Sequence, residues 1–243
     1  MGQLDGKIAI ITGAGTGIGK GIARAFAREG ADLVLASRNQ ANLEETAQEI
    51  AQYQHRVRVI PTDVTDEAAV IALFKQAMAE FGRLDILINN SGTFDGGPFE
   101  ELSLATWQKV VNVNLTGPFL CAREAMKIMK RQGGGRIINI GSISAQMCRP
   151  NAAPYNTTKH ALVGLTKSIA LEGRDYNVVA SVLHPGNVLT ERRAASSAAQ
   201  DAEPMMTVDE LALTAVTMAA LPLHVNVLES IVLPTQQKYL GRG

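Results

Sequence analysis

Short β-branched runs alternate with helical stretches along the chain, and no other feature restricts the fold as tightly. Ile8–Thr12 is a continuous apolar run of the kind found in a strand covered on both faces. Residues 18–28 follow with Ile22, Ala25 and Phe26 at helical spacing, and Gly30 is placed to stop that helix. Further strands are read at 32–36, Val57–Pro61, 84–89, 136–140, 178–183 and 227–233. Helices are read at 41–52, 68–81, 161–173 and Val208–Ala220, with a long helical region at 104–130. Thr65-Asp66-Glu67 reads as a cap ahead of the helix that starts at 68. This alternation means right-handed βαβ crossovers and a parallel sheet with helices on both faces. The 243 residues show no linker, low-complexity tract or short-period repeat, so a single doubly wound α/β domain of about seven strands is expected. Residues 194–206, rich in Ala, Ser and acidic side chains, fit no element.

Composition narrows the function. Lys+Arg and Asp+Glu are 23 each, so the basic surplus that neutralises nucleic-acid phosphates is absent. No apolar run reaches the 18 or so residues that cross a bilayer, and the first residues lack the apolar core of a secretory signal. Cys121 and Cys148 are too few for a disulfide framework and form no Cys-x-x-Cys. The expectation is a soluble, cytoplasmic protein without structural metal, nucleic-acid partner or membrane partner.

Thr12-Gly13-Ala14-Gly15-Thr16-Gly17-Ile18-Gly19 joins the first strand to the first helix. Glycines in that context allow a tight turn and let bare backbone N–H groups approach a pyrophosphate at the helix N-terminus, which makes the fold Rossmann-type. Such folds usually place a carboxylate about 20 residues on to hold the adenosine ribose 2′-hydroxyl. Here the second strand ends at Ser37-Arg38-Asn39, and Asp32 stands at the wrong end of it. A hydroxyl and a guanidinium suit a 2′-phosphate, so NADP(H) is favoured over NAD(H).

Tyr155-Asn156-Thr157-Thr158-Lys159 sets a phenol and an ammonium four residues apart, on one helix face if the segment is helical, and Pro154 is compatible with a helix start. Positive charge beside a phenol favours the phenolate, which would make Tyr155 a usable general acid or base. The pattern alone is common by chance.

Its surroundings make it specific. Asp63-Val64, Asn89-Asn90-Ser91-Gly92, Asn112-Val113-Asn114, Gly141-Ser142, Tyr155 with Lys159, and Pro185-Gly186 with Thr190 follow the glycine turn in order. Together, from about Leu4 to Thr190, they resemble the short-chain dehydrogenase/reductase family in its compact single-domain form. The resemblance implies that Ser142 holds the substrate oxygen, Tyr155 passes the proton, Lys159 binds the nicotinamide ribose and tunes Tyr155, and Asn114 fixes a water leading from Lys159 to solvent. It implies that Gly13, Thr16, Gly17, Ile18 and Gly19 meet the pyrophosphate, and that Asp63 and Val64 meet the adenine. Asn90, Ser91, Gly92, Ile140, Pro185, Gly186, Val188 and Thr190 would line the nicotinamide half. It further implies a homo-oligomer, a dimer of dimers built on helices within 104–130 and 155–173.

Two departures stand out: Ser91 replaces the usual alanine, and the chain end lacks the Asp-Gly-Gly-like sequence common in the family, which leaves its part in subunit contacts and pocket closure open. Substrate specificity would rest on 144–153 and 191–207. Met147 and Cys148 are read either as substrate contacts or as plain loop residues, and His160 and His184 as packing or surface histidines. Trp107 is read as packing a helix against the body, and Asp95-Gly96-Gly97-Pro98 as a turn. The expected activity is interconversion of a carbonyl and a secondary alcohol by an NADP(H)-dependent oxidoreductase. The alternatives are a nucleotide-binding regulator without useful turnover and a reductase of enoyl thioesters.

Overall fold

The computed structural model describes residues 2–194 and 203–239. Strands β1 (Ile8–Thr12), β2 (Asp32–Ser37), β3 (Val57–Pro61), β4 (Ile86–Asn89), β5 (Gly135–Ile140), β6 (Val178–Pro185) and β9 (Glu229–Val232) form one sheet in the order β3-β2-β1-β4-β5-β6-β9. Every pairing in it is parallel. Two short strands, β7 (Val188–Leu189) and β8 (Met206–Thr207), pair beside it. The strand at 227–233 is confined to Glu229–Val232.

Helices cover both faces, as continuous apolar strands require. On one side Ala9, Ile11, Leu33 and Leu35 pack with Ile22 and Phe26 of α1 (Gly17–Arg28) and Leu211 and Ala215 of α8 (Val208–Ala220). On the other side Ile10, Val34 and Leu87 pack with Leu73 and Phe74 of α3 (Glu67–Phe81) and Leu120 and Ala125 of α5 (Gly117–Gln132). Alternate residues of β1 therefore feed opposite cores, which is why its sequence shows no polar face. α2 is Gln40–Ile50, and α3 starts where Asp66 accepts from the Ala68 and Ala69 N–H groups.

Two helical regions differ from the sequence reading. The 104–130 region is α4 (Leu104–Val111) and α5, joined by a π-turn at Asn112–Thr116. The wider turn carries one extra residue, which periodicity alone does not reveal. The helix read at 161–173 is α6 (Ala153–Gly173), eight residues longer at its start. Pro154 sets its first turn, and the polar Asn156, Thr157 and Thr158 carry no apolar stripe to mark it.

The order of strands reverses between β1 and β4, and the chain leaves both at their C-terminal ends through glycine-containing turns. In an open parallel sheet that crevice is where ligands bind. Short α7 (Glu191–Ala194) lies above it, and 195–202, within the substrate region read at 191–207, fall outside the described residues. No helix among the described residues is long and apolar enough to cross a membrane, and none of their His, Cys, Asp and Glu side chains cluster as a metal site.

Candidate active site

A cleft of about 650 Å³ opens above β1, β4, β5 and β6. Gly13, Thr16 and Ile18 form its wall from the glycine turn, with Asn90 and Gly92 beyond β4. Ile140 and Ser142 enter after β5, and Tyr155 and Lys159 from the first turns of α6. Pro185, Gly186, Val188 and Thr190 close the side after β6.

The glycine turn is held by what a side chain would displace. Gly13 has φ +66, and Asn90 Nδ2 donates to the carbonyls of Thr12 and Gly13 at 3.1 Å each. A Cβ on Gly19 would overlap the Gly13 carbonyl and that same amide. Gly19 therefore supports the turn from beneath and does not line the cleft. Ser91 also acts through its backbone, its N–H donating to Thr12 Oγ1 at 3.1 Å. At the N-terminus of α1 the Gly17 N–H donates to Glu191 Oε2 at 2.9 Å. That N–H is met by a carboxylate oxygen of the chain itself, a charge that the positive end of a helix favours.

The far end of the crevice belongs to β2. Arg38 is exposed there, without hydrogen bond or salt bridge among the described residues, and Ser37 is half-buried. Burial tends to raise the Asp63 pKa, but hydrogen bonds from the Thr65 N–H and hydroxyl, with the charge of Arg38, bring it below the usual carboxylate value. Arg38 and Asp63 thus face one region. Val64 is a core residue packed at Gly117 on α5.

The polar cluster at the base of the cleft is tied together tightly. Lys159 is buried and donates from Nζ to the Ile140 carbonyl at 2.8 Å, with Nζ 5.6 Å from the Tyr155 ring centre. Burial pushes the Lys159 ammonium below its ordinary value, and the charge of Tyr155 opposes that shift. Asn114 lies in the π-turn and bridges two segments. Its Oδ1 accepts from the Thr93 N–H at 2.8 Å, and its Nδ2 donates to the Thr93 carbonyl at 2.9 Å. The same amide reaches Thr158 Oγ1 at 3.4 Å, next to Lys159. Ser142 Oγ accepts from the Ser144 N–H at 3.1 Å, so its own proton is free for an acceptor in the cleft.

A family model described as short chain dehydrogenase matches residues 7–201. The chain belongs to the short-chain dehydrogenase family. It is 40% identical over 185 residues to the uncharacterized oxidoreductase YxjF of Bacillus subtilis (strain 168), covering 76% of this chain and 72% of that protein. It is 36% identical over 189 residues to the D-threitol dehydrogenase of Mycolicibacterium smegmatis, covering 78% and 73%. A solved short-chain type dehydrogenase/reductase from Mycobacterium marinum superposes with a TM-score of 0.87 at 32% identity, covering 95% of this chain and 94% of the other. This short-chain dehydrogenase is therefore an oxidoreductase of a family that binds a nicotinamide cofactor.

Several residues of this short-chain dehydrogenase escaped the sequence reading. Phe94 sits 5.1 Å from the Tyr155 ring, tilted by 60°, and lines the cleft with Thr93. An aromatic just after the Asn90 motif was the available signal. Arg149 and Arg193 line the cleft, whereas Met147 and Cys148 do not. His184 is fully buried, the packing alternative of the two that the sequence offers. Its Nδ1 lies 3.1 Å from the Ser142 nitrogen and 2.9 Å from the Ser142 carbonyl, and its Nε2 lies 3.2 Å from Glu229 Oε1. Burial pushes its pKa down and so favours neutral imidazole, though Ser142 and Glu229 pull the other way. His160 is exposed and bonded to the Asn156 carbonyl, and Trp107 is only half-buried on α4. The atypical chain end packs against the turn after β6, where Gln237 Oε1 accepts from the Asn187 N–H at 2.8 Å next to Gly186.

Proposed function

We propose that the protein is a cytoplasmic, NADP(H)-dependent dehydrogenase that interconverts a carbonyl and a secondary alcohol. The observation that carries this reading is the meeting of Ser142, Tyr155 and Lys159 in one cleft with the glycine turn at the N-terminus of α1. Binding alone would need only the second. When bound, the cofactor supplies or accepts the hydride at the carbon of the substrate.

The remaining work falls to this chain. Gly13, Thr16, Gly17, Ile18 and Thr190 would hold the pyrophosphate, and Ser37 and Arg38 the 2′-phosphate. Asp63 would meet the adenine ring. Lys159, fixed by the Ile140 carbonyl and with its charge near the Tyr155 ring, would bind the nicotinamide ribose. In the reducing direction Ser142 donates its free proton as a hydrogen bond to the substrate oxygen, which polarises the carbonyl. Tyr155 then delivers a proton to that oxygen as negative charge develops on it. In the oxidising direction Tyr155 accepts the proton back. Asn114, set between Thr93 and Thr158, supports a water path from Lys159 that returns protons to Tyr155.

A panel of aldehydes, ketones and oxo acids assayed by loss of reduced nicotinamide absorbance tests this reading. Turnover with at least one carbonyl, faster with NADPH than with NADH, is expected. Cofactor binding without turnover of any carbonyl would leave a nucleotide-binding protein instead.

The same reading includes assembly as a dimer of dimers. Exposed Phe119 and Leu171, with a groove between α5 and α6 lined by Met126, Leu165 and Ile169, favour a second copy on that face. Light scattering should give a particle of four chains, and a stable monomer at micromolar concentration would contradict it.

A further inference from the structure

Two guanidinium groups in the cleft have no part in the chemistry above. Arg149 leaves the loop that follows Ser142. Asn156 clamps its backbone, accepting from the Arg149 N–H at 3.2 Å and donating to its carbonyl at 2.8 Å. The clamp ties Arg149 to the first turn of α6, beside Tyr155, and its side chain lines the cleft with Tyr155, Ser142 and Phe94. Among the described residues no carboxylate pairs with it.

Arg193 reaches the same cleft from α7. Its Nη1 donates to Asn187 Oδ1 at 3.1 Å, and Asn187 in turn donates to Glu203 Oε2 at 2.8 Å. Burial and the charge of Arg149 both disfavour the Arg193 cation, while Glu203 supports it. Both guanidinium groups line one cleft, where Arg193 is linked to Glu203 through Asn187 and Arg149 has no carboxylate partner among the described residues. Like charges converging on a cavity are relieved when an anion enters it. A planar guanidinium matches a carboxylate in particular, which it can grip by two parallel hydrogen bonds.

We propose that Arg149, flanked by Arg193, forms an anion subsite beside Ser142 and Tyr155 that binds a carboxylate carried by the substrate. The substrates are then oxo acids and the corresponding hydroxy acids, not neutral ketones. This inference rests on the dehydrogenase reading for its chemistry, but the subsite itself can be tested without turnover. The place of Arg149 on the Ser142 loop and at the first turn of α6 assigns it to substrate and not to the cofactor phosphates, which the glycine turn and β2 would hold.

The test is a titration by ligand-observed NMR of the purified protein, with and without bound cofactor. The probes are butanoate and hexanoate, their neutral amides, and inorganic phosphate. A charge-assisted pair makes each acid bind about tenfold or more tightly than its amide. Arg149→Gln should bring acid and amide within about twofold, and Arg149→Lys should restore part of the preference, while cofactor affinity stays within about twofold of wild type in both. Equal binding of acid and amide by wild type would overturn the proposal, as would an acid preference that survives Arg149→Gln. Phosphate binding more tightly than either acid, or a tenfold loss of cofactor affinity in Arg149→Gln, would move the cation to a phosphate ligand and overturn it too. Turnover of oxo acids against their methyl esters is the second arm. If no carbonyl of either kind reacts, the dehydrogenase reading fails while the binding result stands by itself.

Discussion

Arg38→Asp should invert the cofactor preference, and the structure sets the size of the effect. Arg38 is exposed at the end of β2 and, among the described residues, forms no salt bridge, so its bonds to a 2′-phosphate would be made facing water. The low end of the usual range for a charged hydrogen bond then applies, about 1.5 kcal/mol. A carboxylate in its place would also repel a phosphate of nearly two charges, by about 1 kcal/mol per charge at 4 Å in water. Together these weaken NADPH by about 3 kcal/mol, or on the order of 100-fold. NADH gains instead, because a carboxylate can accept from its 2′-hydroxyl, which is worth up to about tenfold. The assay is the ratio of kcat/KM for the two cofactors, with dissociation constants from quenching of protein fluorescence as a readout independent of chemistry. The NADPH effect should shrink as salt is raised, since exposed charges are screened within about 10 Å at 0.1 M. A wild type that prefers NADH, or a ratio unmoved by the substitution, would mean that Arg38 serves solvent only.

Gly19→Ala puts a methyl against the Gly13 carbonyl and Asn90 Nδ2, neither of which can retreat without opening the turn. The cost should be about 2–5 kcal/mol from overpacking and lost Asn90 bonds, read as a fall in Tm of roughly 5–15 °C, with cofactor affinity lost in parallel. The buried His184 gives a pH signature. Its folded pKa lies below its ordinary 6.5, so the unfolded chain takes up the proton first. Its contribution is intact above about pH 6.5 and is lost as pH falls below that value toward the folded pKa, by up to about 1.4 kcal/mol per pH unit. Melting curves between pH 7.5 and 5.5 should show this slope in wild type and lose most of it in His184→Gln.

The fold was legible because each level of the sequence agreed with the next. Ile8–Thr12, Val57–Pro61 and the other apolar runs are long enough for strands only, and the glycine turn could join a strand to a helix in one way. The cleft residues Gly13, Ser142, Tyr155, Lys159 and Thr190 were found because they sit in motifs with fixed spacing. Other residues were hidden for physical reasons. The start of α6 has polar side chains, Asn156 bonded to the Arg149 backbone and Thr158 to Asn114, so no apolar period marks it. The π-turn at Asn112–Thr116 adds a residue without changing residue type. His184 and Glu229 meet only because β6 and β9 pair, across 45 positions of sequence. Arg149 looks like any loop arginine until Asn156 is seen to hold its backbone at the cleft.

Proton transfer by Tyr155 is what separates a dehydrogenase from a protein that merely binds the cofactor, and one substitution isolates it. Tyr155→Phe removes a single hydroxyl and keeps the ring packed against Phe94. Single-turnover hydride transfer and cofactor affinity should be measured side by side on the same preparation. We expect cofactor binding and Tm to stay close to wild type while the transfer rate falls by about 10²- to 10⁴-fold, the usual worth of general acid–base help. A variant that keeps more than half of the wild-type rate would contradict the role given to Tyr155 and, with it, the mechanism built on this cleft.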